Sequence, residues 1–136
     1  MPSMNKAMPQ SPTELTEAEW IIIKAVWDSE PCDAPAIQQK LFKKTSWTYS
    51  TVRTIMDRMA AKKLLAAEKI RNQTLYRSLV TPAQARRGEL LYALKHAFDG
   101  ALTPMVQCLI ESRDLSVEEL TQLETLIKAR KKAAKK

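Results

Sequence analysis

Four residues in the middle of the chain are of the types that read the edges of base pairs. Ser50, Thr51 and Thr54 carry small hydroxyls, and Arg53 stands among them. A guanidinium offers a planar fork that pairs bidentately with guanine, while threonine offers a hydroxyl to a base edge or a methyl to thymine. Small neighbours let a helix backbone come close to the floor of the major groove. Spacings of three and four residues put Ser50, Arg53, Thr54 and Asp57 on one helical face, with Thr51 and Arg58 flanking it. The same residues have plainer uses. Serine and threonine cap helix starts, and Arg53 stands four residues before Asp57, an ion-pair spacing worth only a few tenths of a kcal/mol.

The surrounding charge fits a polyanion. Between Lys40 and Arg77 there are ten lysines and arginines against Asp57 and Glu68, an excess larger than the net +7 of the whole chain. Lys43, Lys44, Arg58, Lys62 and Lys63 are candidates for phosphate contacts, which hold a protein in register without reading sequence. Lys69, Arg71, Asn72 and Arg77 follow on what reads as a hairpin and could touch the backbone or the adjacent minor groove. Other chemistry finds little support. There is no phosphate-cradling glycine loop, no H-E-x-x-H and no nucleophile elbow. His96 has no ligand-spaced partner, and Cys32 and Cys108 lie far apart, so no metal, cofactor or disulfide framework is expected. The methionines read as core filler. With no apolar run of signal-peptide or membrane-spanning length, the expected compartment is the cytoplasm, with no membrane partner.

These side chains need a scaffold, and its elements are legible from local signals. Residues 1–13 contain three prolines and no periodicity and read as a disordered arm. Thr16 to Glu19 fits a capping box, followed by apolar Trp20, Ile23, Val26 and Trp27 at near-helical spacing. Asp33 caps a second helix whose stripe is Ile37, Leu41 and Phe42, with Pro35 in its first turn. A third helix begins near Thr48 and runs to about Lys63, with a core face of Val52, Ile55, Met56 and Met59. Trp47 and Tyr49 at its entrance read as packing residues. The period then changes: Leu65–Arg71 and Leu75–Val80 read as strands around a turn at Asn72-Gln73-Thr74. Tyr76 either fills this hairpin or contacts phosphate.

Thr81-Pro82 restarts helix, with Leu90, Leu91, Leu94, Ala97 and Phe98 along one face and a break at Gly100. Leu102, Met105, Val106, Leu109 and Ile110 form the next stripe. Ser116 to Glu119 is a second capping box, leading into Leu120, Leu123, Leu126 and Ile127. The fold class is therefore mainly α with a small β-hairpin wing. A winged helix-turn-helix over 14–80 is followed by a helical dimerisation domain over 81–128 and a frayed basic tail over 129–136. Three amphipathic segments in under fifty residues have too much surface to bury their leucines alone. They pack on the first module or pair with a second copy, and pairing is the reading preferred. It would use Leu94, Phe98, Leu102, Met105, Val106, Leu109, Leu120, Leu123 and Ile127.

The segments LTEAEWIIIKAVWDSEPCDAPAIQQKL, WTYSTVRTIMDRMAAKKLL and LYRSLVT together resemble the BlaI/MecI penicillinase-repressor family, which includes the CopY copper regulators. The resemblance covers residues 14–128 and is sharpest at L-T-x-A-E-W and T-V-R-T-I-M-x-R-M; D-L-S-x-E-E-L from Asp114 to Leu120 is similar to the family's last helix. It implies a homodimeric repressor on double-stranded operator DNA, bound at an inverted repeat of TACA and TGTA halves. Thr51, Arg53 and Thr54 would occupy the base-reading positions, and Ser50 and Tyr76 the backbone-contacting ones. Ser50 departs from the lysine that can stand there in the family. The copper-responsive branch carries a C-terminal C-x-C…C-x-C cluster, which this chain lacks. In the β-lactam branch a protease relieves repression by cutting within the dimerisation domain. Cys108-Leu109 falls about where that bond would lie, though the residues here give no local support for cleavage. The rival reading is a winged helix used for protein–protein contact, without sequence-specific DNA binding; an enzyme is the least supported.

Overall fold

A computed structural model of the protein describes residues 14–135, so the N-terminal arm read over residues 1–13 lies outside the described residues. Three helices come first: α1 (Glu17–Ser29), α2 (Ala34–Thr45) and α3 (Tyr49–Ala61). An antiparallel hairpin follows, β1 (Leu65–Ile70) with β2 (Gln73–Ser78), and then α4 (Pro82–Phe98), α5 (Leu102–Glu111) and α6 (Val117–Ala134). This is a winged helix-turn-helix followed by further helices. The chain divides into two compact units at Tyr92. Among the described residues no helix is long and apolar enough to cross a membrane.

Local chemistry sets the helix starts. The Thr16 hydroxyl accepts from the Glu19 amide while Glu19 Oε1 accepts from the Thr16 amide, a complete capping box. Asp33 accepts from the Ala36 amide ahead of α2, and Thr48 from the Thr51 amide ahead of α3. Each such cap satisfies an amide that the helix itself leaves without a partner, worth about 1 kcal/mol. The α2–α3 turn is closed from both sides. Ser46 takes a left-handed φ of 59° as the C-cap of α2, and the Gln38 amide donates to the Trp47 carbonyl at 3.1 Å.

The core of the first unit is built from Ile22, Ile23, Ala25 and Val26 of α1, Ile37 and Leu41 of α2, Val52, Met56 and Met59 of α3, then Leu64, Leu65, Tyr76, Val80 and Ala85. Burying each of the larger side chains contributes about 1.5–3 kcal/mol. Two details differ from the sequence pattern. On α1 the innermost residues are Ile22, Ile23 and Val26, while Trp20 and Trp27 lie partly buried at the rim. Their ring centroids are 6.3 Å apart in an edge-to-face arrangement. A bulky indole with one polar N–H settles where that N–H finds an acceptor. Trp27 donates to the Val80 carbonyl and Trp20 to Glu89. Phe42, expected in the α2 stripe, is instead exposed, because Leu41 and Ile37 already fill that face.

The wing also differs in register. Ile70 pairs with Gln73, so the turn is the two residues Arg71 and Asn72, not Asn72-Gln73-Thr74. Arg71 takes a positive φ of 59° there. Two-residue connections suit the twist of a hairpin, and this one moves β2 two residues earlier than the apolar pattern suggested. The second unit holds the end of α4 with α5 and α6. Asp99 and Gly100 both have positive φ and end α4, which is where glycine costs least. No residue of α5 or α6 is buried, and α6 continues as helix to Ala134 where a frayed tail was expected.

Candidate nucleic-acid interface

Helix α3 has one face in the core and one in solvent. Val52, Met56 and Met59 are buried, and Ser50, Thr51, Thr54 and Arg58 are exposed on the other side. A period of 3.6 makes this division unavoidable once the apolar residues are packed. Lys43, Lys44, Lys63, Lys69, Arg71 and Arg77 are also exposed. Arg77 stands 3.7 Å from Glu68 across the hairpin, a surface pair with little energetic weight. The wing is fixed to the turn before α2 by two backbone hydrogen bonds between Cys32 and Tyr76, at 3.0 and 2.7 Å. The Gln73 amide adds a third tie by donating to Asp33 at 2.7 Å.

Arg53 is not a freely swinging side chain. Its Nε donates to both oxygens of Asp57 at 3.2 and 3.1 Å, and its Nη1 donates to the Tyr49 hydroxyl at 3.1 Å. The Tyr49 hydroxyl, with the charge of Asp57, raises the pKa of the guanidinium further. The remaining nitrogen, Nη2, has no hydrogen-bond partner among the described residues. It is the unengaged end of the fork.

One sequence-based assignment needs correction. Tyr76 cannot contact phosphate, because its side chain is 0% exposed and its hydroxyl donates to Asp57 Oδ1 at 2.7 Å. Burial, then the neighbouring Asp57 carboxylate, pushes the phenol well above its ordinary pKa, so it stays protonated and remains a donor. Lys62, half-exposed, has an ion pair of its own. Its ammonium lies 2.5 Å from Glu19 Oε2, at the buried start of α1, where leaving that carboxylate without a partner would be costly.

These features sit in a chain whose residues 15–129 match the family model described as penicillinase repressor. The chain belongs to the penicillinase repressor family. Its relatives include the methicillin resistance regulatory protein MecI of Staphylococcus aureus (strain N315), 23% identical over 84% of this chain and 93% of that protein. The penicillinase repressor of Bacillus licheniformis is 23% identical over 90% of this chain and 95% of its own length. Among solved structures, the solution structure of the DNA binding domain of the repressor BlaI matches with a TM-score of 0.48 and 21% identity, covering 57% of this chain and 93% of that one.

In this penicillinase repressor family member, the residues expected to pair two copies lie on α4, α5 and α6. Leu102, Val106, Leu109, Leu120, Leu123 and Ile127 are exposed in the single chain, and Leu94, Phe98 and Met105 are half-buried. Cys108 is exposed on α5, beside Leu109. Among the described residues no group of three His, Cys, Asp or Glu side chains could hold a metal ion. The Arg53–Asp57 pair expected from its spacing is present, but sequence reasoning missed the hydrogen bonds of Tyr49 to Arg53 and of Tyr76 to Asp57. The spacing Tyr49, Arg53, Asp57 was a usable signal, since steps of four place all three on one helical strip.

Proposed function

We propose that this penicillinase repressor family member is a homodimeric transcriptional repressor, with α3 of each copy entering a major groove of an inverted-repeat operator. One observation carries the reading. The helix that follows the tight α2–α3 turn presents Ser50 and Thr54 to solvent opposite its buried face, with Thr51 and the half-exposed fork of Arg53 on its flanks. Base edges are read by side chains of these types on a helix of this width. The named roles of the relatives, a penicillinase repressor and a methicillin resistance regulator, support the same reading. Thr51, Arg53 and Thr54 then read bases. Ser50, Lys43, Arg58 and Arg71 contact the phosphate backbone. The apolar faces of α5 and α6, with the end of α4, pair the two copies. The protein works on cytoplasmic DNA and has no catalytic role.

The test is a gel shift on the promoter fragments of the source genome, with competitor DNA and at two salt concentrations. A specific complex should survive competitor and weaken steeply as salt rises, because phosphate contacts release counterions. Equal affinity for all fragments would overturn the reading.

A further inference from the structure

We propose that Tyr76 and Asp57 are positioning residues that aim the guanidinium of Arg53, so that the wing sets how α3 reads its DNA. The inference rests on the assignment of α3 as the reading helix and adds residues that never touch the ligand. A guanidinium at the end of four rotatable bonds loses much side-chain entropy when a base fixes it. Here most of that cost is met before binding. Asp57 holds Nε through both oxygens and Tyr49 holds Nη1, which leaves Nη2 and the spare hydrogen of Nη1 without an acceptor among the described residues. Two parallel N–H groups at that end are what the acceptor edge of guanine requires.

Asp57 is itself half-exposed and would be free to change rotamer. The Tyr76 hydroxyl prevents this. It comes from β2, nineteen residues further along the chain, and meets Oδ1 at 2.7 Å. Tyr76 in turn cannot move, since its side chain is fully buried and its backbone is bonded in both directions to Cys32. The chain of contacts therefore runs from the loop before α2, through the wing, to a single arginine. Asp57 also offsets part of the local positive charge. A phosphate-binding surface gains nothing from a carboxylate there, whereas a surface that must orient one arginine does.

The experiment is a double-mutant cycle on the full chain, read as the ratio of affinities for the operator and a scrambled duplex of equal length. Tyr76→Phe removes one oxygen and should lower that ratio about fivefold in the wild-type background. In an Arg53→Ala background the same change should lower it less than twofold, because there is no fork left to aim. A loss of equal size in both backgrounds would make Tyr76 a merely structural residue and overturn the proposal, as would no loss in either. Asp57→Ala, at a half-exposed helical site, gives the same test should Tyr76→Phe fail to fold. The underlying reading fails separately: the wild-type protein would then show no preference for any duplex, and the positioning role would fall with it.

Discussion

Lys62 at the end of α3 closes an ion pair on Glu19 in the first turn of α1, 2.5 Å away and forty-three residues earlier in the chain. The contact joins the end of α3 to α1 at the edge of the core. Burial pushes the Glu19 carboxyl up, but the Lys62 ammonium and the Thr16 amide outweigh it, and its pKa lies below the ordinary value of 4.5. A carboxylate with a depressed folded-state pKa contributes stability that is complete above the ordinary carboxylate range. That contribution is lost as pH falls through the folded value. The stabilisation from this pair should therefore be intact at neutral pH and begin to fade only below about pH 4.5, the ordinary value. Lys62→Ala should leave Glu19 buried without its cation and cost about 1–2 kcal/mol at pH 7, a modest figure because the lysine end is half-exposed to screening solvent. Denaturant melts at pH 7 and pH 4 check both statements, since the difference between wild type and variant should shrink at the lower pH.

Arg53→Ala should lower the ratio of specific to non-specific binding by about 1–3 kcal/mol if its fork meets a guanine. An equal loss on every duplex would make Arg53 a phosphate clamp instead. Anisotropy titrations on operator and scrambled fragments separate the two outcomes.

Lys43→Ala and Arg58→Ala should behave differently from Arg53→Ala. Each removes an exposed cation near the solvent face of α3 and should weaken binding to all sequences, reducing the slope of log affinity against log salt by about 1. Tyr76 and Lys62 were assigned to the same backbone-contacting set from sequence, and Lys62→Ala should leave that slope unchanged. A salt series from 50 to 200 mM, in the range where such slopes are read, decides it.

What the sequence disclosed and what it hid divide by distance along the chain. The capping residues Thr16, Asp33 and Ser116 act on amides within three positions, and each is found as read. The core face of α3 was legible because Val52, Met56 and Met59 follow the helical period. Tyr76 was misassigned, and the ion pair of Lys62 went unseen, because their partners, Asp57 and Glu19, come from other elements, and no local pattern marks such a contact. An exposed tyrosine and a buried one look the same in sequence when a strand alternates weakly. Ala66, Ala67, Glu68 and Lys69 gave β1 little alternation, so the two-residue turn at Arg71 was placed late. Phe42 failed for another reason. Hydrophobicity alone does not say which of two adjacent residues faces inward, and Leu41 took the place.

The pairing surface yields the last prediction. Leu109 and Ile127 are 54% and 57% exposed in the single chain, too much apolar area to leave in water beside Leu102 and Leu126. If a second copy covers them, a charge on either residue should be tolerated by the isolated chain and rejected by the pair. Leu109→Asp and Ile127→Asp should thus keep the helical content and the melting of the first unit, whose core shares no residue with these faces. Sedimentation at micromolar concentration should turn from dimer to monomer. Operator affinity should fall by a factor of about 100 or more, since two half-sites held by one linked body bind far better than either alone. A wild-type chain that sediments as a monomer, or a charged variant that remains dimeric, would place the interface elsewhere.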